Sequence, residues 1–274
     1  MRTIALTLAY DGTDFRGYQI QPNTRTVQGV IEAGLERLLE EPVRVACAGR
    51  TDTGVHAKGQ VISFRTDNHS IPGDKIAVAL NSRTPGDVSA LDSGEVPEEF
   101  HARYSAVQRT YRYALYCGDV ADPLVDRYAV RLRRLPSLDR VNGYAARLVG
   151  YHDFTTFASS RDRSGSRWRS IDRAFWFPLD RFLIFEISAR SFMWHMVRSI
   201  VGTMVALDAQ GAPPEQLSEM LAAGDRSLAA TTAAARGLVF YRVTYSGSWW
   251  YPGGDGQAGS EECETAIGDK GSIV

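Results

Sequence analysis

Residues 3–10, TIALTLAY, alternate side-chain character with the two-residue period of a half-buried strand. A loop follows, DGTDFRGYQIQPNTR, marked by its glycines, its Asp-Gly pair and Pro22. The period then becomes that of a helix over 26–40. Thr26 can cap it, and Val27, Val30, Ile31, Leu35, Leu38 and Leu39 form an apolar stripe. Strands are expected at 43–48 and, as QVISF, at 60–64, with the turn GRTDTGVHAKG between them. A helix over 73–82 and a strand over 87–92 follow.

Alternation returns in 104–117, YSAVQRTYRYALYC, which reads as a long strand. The pattern then predicts an amphipathic helix at 137–149, strands at 171–178 and 182–189, and a helix from 192 to 209. A short helix at 214–223 and a strand at 238–245 close the patterned part. Interspersed strands and helices predict an α+β fold of two similar halves, 1–105 and 106–246. From 247 to 274 the chain is rich in Gly, Ser and Glu and poor in apolar residues, which predicts a disordered acidic tail.

Composition refines this picture only slightly. An apolar share of 44% suffices for a core. No run approaches the roughly 20 apolar residues that span a bilayer, and the N-terminus lacks the features of a signal peptide. A cytoplasmic location is therefore expected, with no membrane attachment. Three separated cysteines, Cys47, Cys117 and Cys263, give neither a disulfide framework nor a zinc pattern. The net charge of −1 hides an asymmetry, because residues 247–274 carry five acids against one base. The first 246 residues hold 30 bases and 27 acids, and only three of the bases in the whole chain are lysines. Arginine suits bidentate phosphate contacts and base stacking, so this composition permits RNA binding without showing it.

The stretch richest in chemistry is Gly49-Arg50-Thr51-Asp52-Thr53-Gly54-Val55-His56-Ala57. Its glycines bracket a carboxylate and an arginine on a turn between two strands, a stiff mount for a reactive group. A lone loop aspartate is more commonly an Asx-type turn. His56, His101, His152 and His195 form no HxH or HxxxH pair, so no metal site is expected. His56 and His101 read as residues that fix the turn and bind RNA. Arg161, Arg163, Arg167, Arg169 and Arg173 look like a mobile basic loop, and Arg127, Arg131, Arg133, Arg134 and Arg140 form a second cluster. A merely solvated face accounts for either cluster equally well.

GRTDTGVHA resembles the GRTDAGVHA motif of the bacterial tRNA pseudouridine synthase A (TruA) family, departing only at Thr53. Further similarities run in the same order along the chain: Tyr10-Asp11-Gly12-Thr13, Phe15-Arg16-Gly17-Tyr18-Gln19, Thr26-Val27-Gln28, and Leu80-Asn81 with Pro85 and Asp87. Phe100-His101-Ala102-Arg103, Ser105-Ala106, Arg109 and Tyr111-Arg112-Tyr113 match a central motif. Ser191-Phe192, Met196-Val197-Arg198 and Gly202 match a late one. Met193, Trp194 and the proline-free Ala233-Ala234-Ala235-Arg236-Gly237-Leu238 depart from the family pattern.

The resemblance implies a pseudouridine synthase fold, with antiparallel sheets joined around a central cleft. It implies isomerisation of uridine in the anticodon stem-loop of tRNA at positions 38, 39 and 40, by a homodimer needing neither cofactor nor metal. It assigns Asp52 as the catalytic carboxylate and Tyr111 as the ring that stacks on the target base. Arg198 is implied as the partner that keeps Asp52 ionised and aimed, and Arg50 as the side chain that fills the gap when the base is flipped out. Apart from the resemblance, Thr51, His56, His101, Arg103, Arg167 and Arg169 are further candidates for RNA binding. Two alternatives remain: a non-catalytic RNA-binding protein on the same scaffold, and a relative acting on another RNA or on a free nucleotide.

Overall fold

The computed structural model describes residues 1–246; the segment expected to be a disordered tail lies outside the described residues. The fold is α+β. Its strands are β1 (Arg2–Tyr10), β2 (Ala46–Cys47), β3 (His56–Thr66), β4 (Val88–Val96), β5 (Ala106–Cys117), β6 (Val130–Leu132), β7 (Gly150–Asp153), β8 (Trp168–Leu179), β9 (Phe182–Ala189) and β10 (Leu238–Tyr245). Its helices are α1 (Val27–Leu39), α2 (Ile76–Asn81), α3 (Leu138–Ala146), α4 (Met196–Gln210) and α5 (Glu215–Ala223).

The main path of one continuous sheet runs β4-β1-β3-β10-β5-β9-β8-β7, with β2 paired to β3 and β6 to β5. Most pairs are antiparallel. β10 runs parallel to β3 but antiparallel to β5. The last strand therefore joins the first part of the chain to the second, and brings Phe240 opposite both Ala57 and Tyr111.

The helix expected at 26–40 forms as α1. Thr26 caps it by accepting the Gly29 N–H at 3.3 Å, and Glu40 closes it in the left-handed region. Its stripe buries Val27, Ile31, Leu35 and Leu39, and each fully buried side chain of this size stabilises the fold by about 1.5–3 kcal/mol. The same helix buries Glu32, whose carboxylate takes the Val45 N–H at 3.1 Å and the Arg44 guanidinium at 2.5 Å. That pairing ties the approach to the 49–55 turn onto α1.

Several boundaries differ from the pattern, β4 running on to Val96 and α3 ending at Ala146 among them, and three of the differences bear on the site. Of 43–48 only Ala46–Cys47 forms a strand, while Glu32 takes the Val45 N–H. β3 begins at His56 rather than at Gln60, because β10 pairs with His56 and Ala57. The helix expected from 192 starts at Met196, because His195 adopts a left-handed backbone (φ 64°). No helix among the described residues is long and apolar enough to cross a membrane.

Candidate active site

The turn at 49–55 is held from several sides. Gln60 brackets Gly49, donating to its carbonyl at 2.6 Å and accepting its N–H at 3.4 Å. The buried Thr51 hydroxyl meets the Tyr10 hydroxyl at 2.8 Å, and the Thr51 carbonyl accepts the Tyr18 N–H at 3.0 Å. The Val55 N–H closes the turn onto the Asp52 carbonyl at 3.1 Å. The 11–18 loop lies against it so closely that a Cβ on Gly12 would stand 2.0 Å from the Val55 carbonyl oxygen. Gly17 also has φ +86°, a conformation that favours glycine.

Arg109 underpins this arrangement. Buried in β5, its guanidinium donates twice to the Ala48 carbonyl, at 3.1 and 3.0 Å, and also to the carbonyls of Arg103, Ala106 and Arg190. No carboxylate shares it among the described residues, and burial depresses its pKa. Backbone dipoles carry its positive charge, so one side chain joins the turn, the start of β5 and the end of β9.

Beyond the turn lies an open cleft of about 1550 Å³. Arg50, Thr51, Asp52, His101, Arg103, Tyr111 and Arg198 all line it. The Asp52 side chain is 24% exposed, with its Oδ2 3.5 Å from an Arg198 terminal nitrogen. Arg198 is itself aimed by its Nε, which donates to the Ala233 carbonyl at 2.7 Å. Tyr111 stands edge-on to Phe192 and Phe240, with centroids 5.1 and 4.9 Å away. Burial, with Tyr10 and Asp52 nearby, pushes its phenol far above the ordinary value, so it keeps its proton. Arg50 is exposed and makes no ion pair among the described residues, which leaves it available to a ligand.

The remaining expected residues divide. His101 accepts the Arg103 N–H at 3.1 Å, packs against the Tyr104 ring with centroids 4.4 Å apart and planes tilted by 36°, and lines the cleft. His56 is outside the lining. It is buried with Nδ1 accepting the Gly12 N–H at 3.1 Å, and burial lowers its pKa although Asp11 opposes this. Arg167 and Arg169 are also outside the lining. Arg167 pairs with Asp162 at 2.9 Å, and Arg169 turns onto the carbonyls of Ser166 and Trp168. Arg161 and Arg163, from the same stretch, do face the cleft and are exposed.

One residue read as merely unpaired in sequence belongs here. His195 brings its Nε2 to 3.6 Å from Asp52 Oδ2. The two residues are far apart in sequence, so no local spacing could have announced the contact. Among the described residues no group of three or more His, Cys, Asp or Glu side chains could hold a metal. The cleft thus presents the Asp52 carboxylate beside a guanidinium and an imidazole, with the Tyr111 ring in the same lining, a set suited to nucleophilic or general-base attack on a flat, extruded ring.

Comparison with known proteins points the same way. The family model described as tRNA pseudouridine synthase matches residues 7–105 and 144–246. A tRNA pseudouridine synthase A of Halalkalibacterium halodurans is 42% identical over 241 residues, covering 87% of this chain and 91% of that one. The Moorella thermoacetica protein of the same name is 41% identical over 247 residues, covering 89% and 100%. That of Treponema denticola is 39% identical over 249 residues, covering 89% and 93%. A Cbf5-Nop10-Gar1 complex overlaps 73% of this chain and 53% of its own at 9% identity and a TM-score of 0.32, too loose a match to argue from.

Proposed function

Because the chain belongs to the bacterial tRNA pseudouridine synthase A family, we propose that it isomerises uridine to pseudouridine in the anticodon stem-loop of tRNA, at positions 38, 39 and 40, with Asp52 as its catalytic carboxylate. The observation that carries this reading is the Asp52 carboxylate, presented on a braced turn at the wall of an open cleft and touched by Arg198 through one oxygen.

The reaction breaks the N1–C1′ bond, turns the freed uracil, joins C5 to C1′, and moves the C5 proton off while N1 gains one. Asp52 has three routes into it: attack at C1′, attack at uracil C6, or removal of the C2′ proton. Arg198, at 3.5 Å from Oδ2, holds the carboxylate in its direction. Tyr111 offers a ring for the base to stack on. Its hydroxyl, held protonated, acts as a donor and takes up the C5 proton only by passing its own onward.

Extruding the base costs about a few kcal/mol of unstacking, and the exposed Arg50 beside Asp52 is suited to fill the gap. Arg103, Arg161 and Arg163 supply phosphate contacts along the cleft. In this reading the segments 1–105 and 106–246 act as two halves around the cleft. A homodimer in the cytoplasm is proposed from the family alone.

The test is to map pseudouridine in tRNA from a strain lacking the protein. Loss confined to uridines 38–40, restored by the wild-type chain and not by Asp52→Asn, is expected. An unchanged map, or equal restoration by Asp52→Asn, contradicts the proposal.

A further inference from the structure

We propose that His195 is a positioning residue for Asp52, donating from Nε2 to Oδ2 beside Arg198 so that Oδ1 is left for the substrate. The inference rests on the function proposed above and names a group that it does not use.

Three observations meet at this residue. The first is convergence: Arg198 and His195 both approach Oδ2, at 3.5 and 3.6 Å, and no hydrogen bond to Oδ1 forms among the described residues. A carboxylate gripped by one oxygen presents the other in a fixed direction.

The second is backbone strain. His195 holds φ 64° and ψ 0° immediately before α4, yet its side chain makes no capping bond there. A non-glycine residue is held in this region only at a cost in backbone strain, and such residues gather at functional sites. The surroundings enforce it. Asp162 accepts the Trp194 N–H at 2.7 Å, and the Trp194 carbonyl accepts the Ser159 N–H at 3.0 Å. The Met196 N–H then turns back to donate to the Met193 carbonyl at 3.2 Å, and the His195 carbonyl accepts the Ser199 N–H at 2.9 Å.

The third is an imidazole without other employment. Among the described residues neither ring nitrogen makes a hydrogen bond, and the ring touches only its neighbour Trp194 as an aromatic partner. Burial, together with Arg198 and Arg226, lowers its pKa against the pull of Asp52, so near neutral pH it is an uncharged donor. A separation of 3.6 Å is long for a hydrogen bond, and catalytic contacts of this kind tighten when substrate fills the site.

The test separates the donor from the backbone. His195→Gly removes the imidazole and relieves the left-handed residue, so thermal stability is expected to hold or rise. His195→Gln returns an amide N–H to the Nε2 position. With purified protein and unmodified tRNA, His195→Gly is expected to lower the single-turnover rate about 10- to 100-fold, the weight of a hydrogen bond to a charged group. Its RNA dissociation constant should stay within about threefold, and His195→Gln should recover most of the rate. A wild-type rate in His195→Gly, or a loss confined to binding, overturns the proposal while leaving Asp52 in place. Absence of pseudouridine from the wild type overturns both.

Discussion

The turn at 49–55 and the loop at 159–167 both face the cleft, and they are built in opposite ways. The turn is braced by groups distant in sequence: Tyr10, Tyr18, Gln60 and Arg109 all reach it, mostly through buried bonds. The loop largely satisfies itself. Ser159 accepts from Arg161 and Asp162, and Asp162 takes Ser164 and Arg167, while the Arg161 and Arg163 side chains stay in solvent. A group that must react within tenths of an ångström needs a fixed mount. Charges that attract a polyanion act over a Debye length of about 10 Å and need only to be present.

The sharpest break of this contrast is expected at Arg198. Arg198→Met leaves Asp52 without its cation and is expected to lower the single-turnover rate about 100- to 1000-fold, the cost of losing one preorganised electrostatic partner. Affinity for tRNA, measured by filter binding, should change by less than about fivefold. An equal loss in affinity and rate would move Arg198 into the binding surface.

Gly12→Ala attacks the mount itself. Its Cβ would meet the Val55 carbonyl, so the turn or the 11–18 loop must shift. Thermal unfolding should show a loss of about 1–3 kcal/mol, with activity falling further than stability. An unchanged melting temperature and rate would mean that the two segments are not braced against each other.

Arg161→Ala and Arg163→Ala address the other region. Each is expected to flatten the plot of log affinity against log salt by about one unit or slightly less, with the rate at saturating tRNA unchanged. A rate defect that saturation does not cure would give the loop a chemical role.

Much of this division was legible in the sequence. Apolar patterning marked α1, β1, β5, β9 and β10: α1 buries a single stripe, while β1 and β9 are apolar enough to be buried along nearly their whole length. The motif around Asp52 marked the turn. Tertiary contacts supplied the rest. Residues 192–195 have helix-compatible side chains, but Asp162 captures the Trp194 N–H and holds the chain outside the helix. Arg167 reads as a phosphate ligand until its carboxylate partner, five residues away, is seen to occupy it. His195 carries no local signal because its partner arrives from another part of the chain, and β6 and β7, at three and four residues, are too short for a period to register.

The smallest expected effect concerns the outer brace of the turn. Burial raises the Asp11 pKa, but hydrogen bonds from Thr13, Arg127 and Tyr128 outweigh it and hold the carboxyl at about 2 rather than 3.8. Because the folded value is depressed, this stabilisation is complete above about pH 4 and is lost as pH falls toward 2. Asp11→Asn should remove roughly 1 kcal/mol at neutral pH, after allowance for solvent screening, and flatten the acid limb of the stability curve over that window. A mutant as acid-sensitive as the wild type would release Asp11 from this role.

The division between reacting and attracting groups stands or falls on Asp52. The direct measurement is pseudouridine formed by Asp52→Asn at a tRNA concentration that saturates the variant, so that weakened binding cannot imitate lost chemistry. A complex that forms with affinity within about tenfold of wild type and yields no product is predicted. Product at a rate near that of the wild type would contradict the account, because the carboxylate charge would then have no part in the reaction.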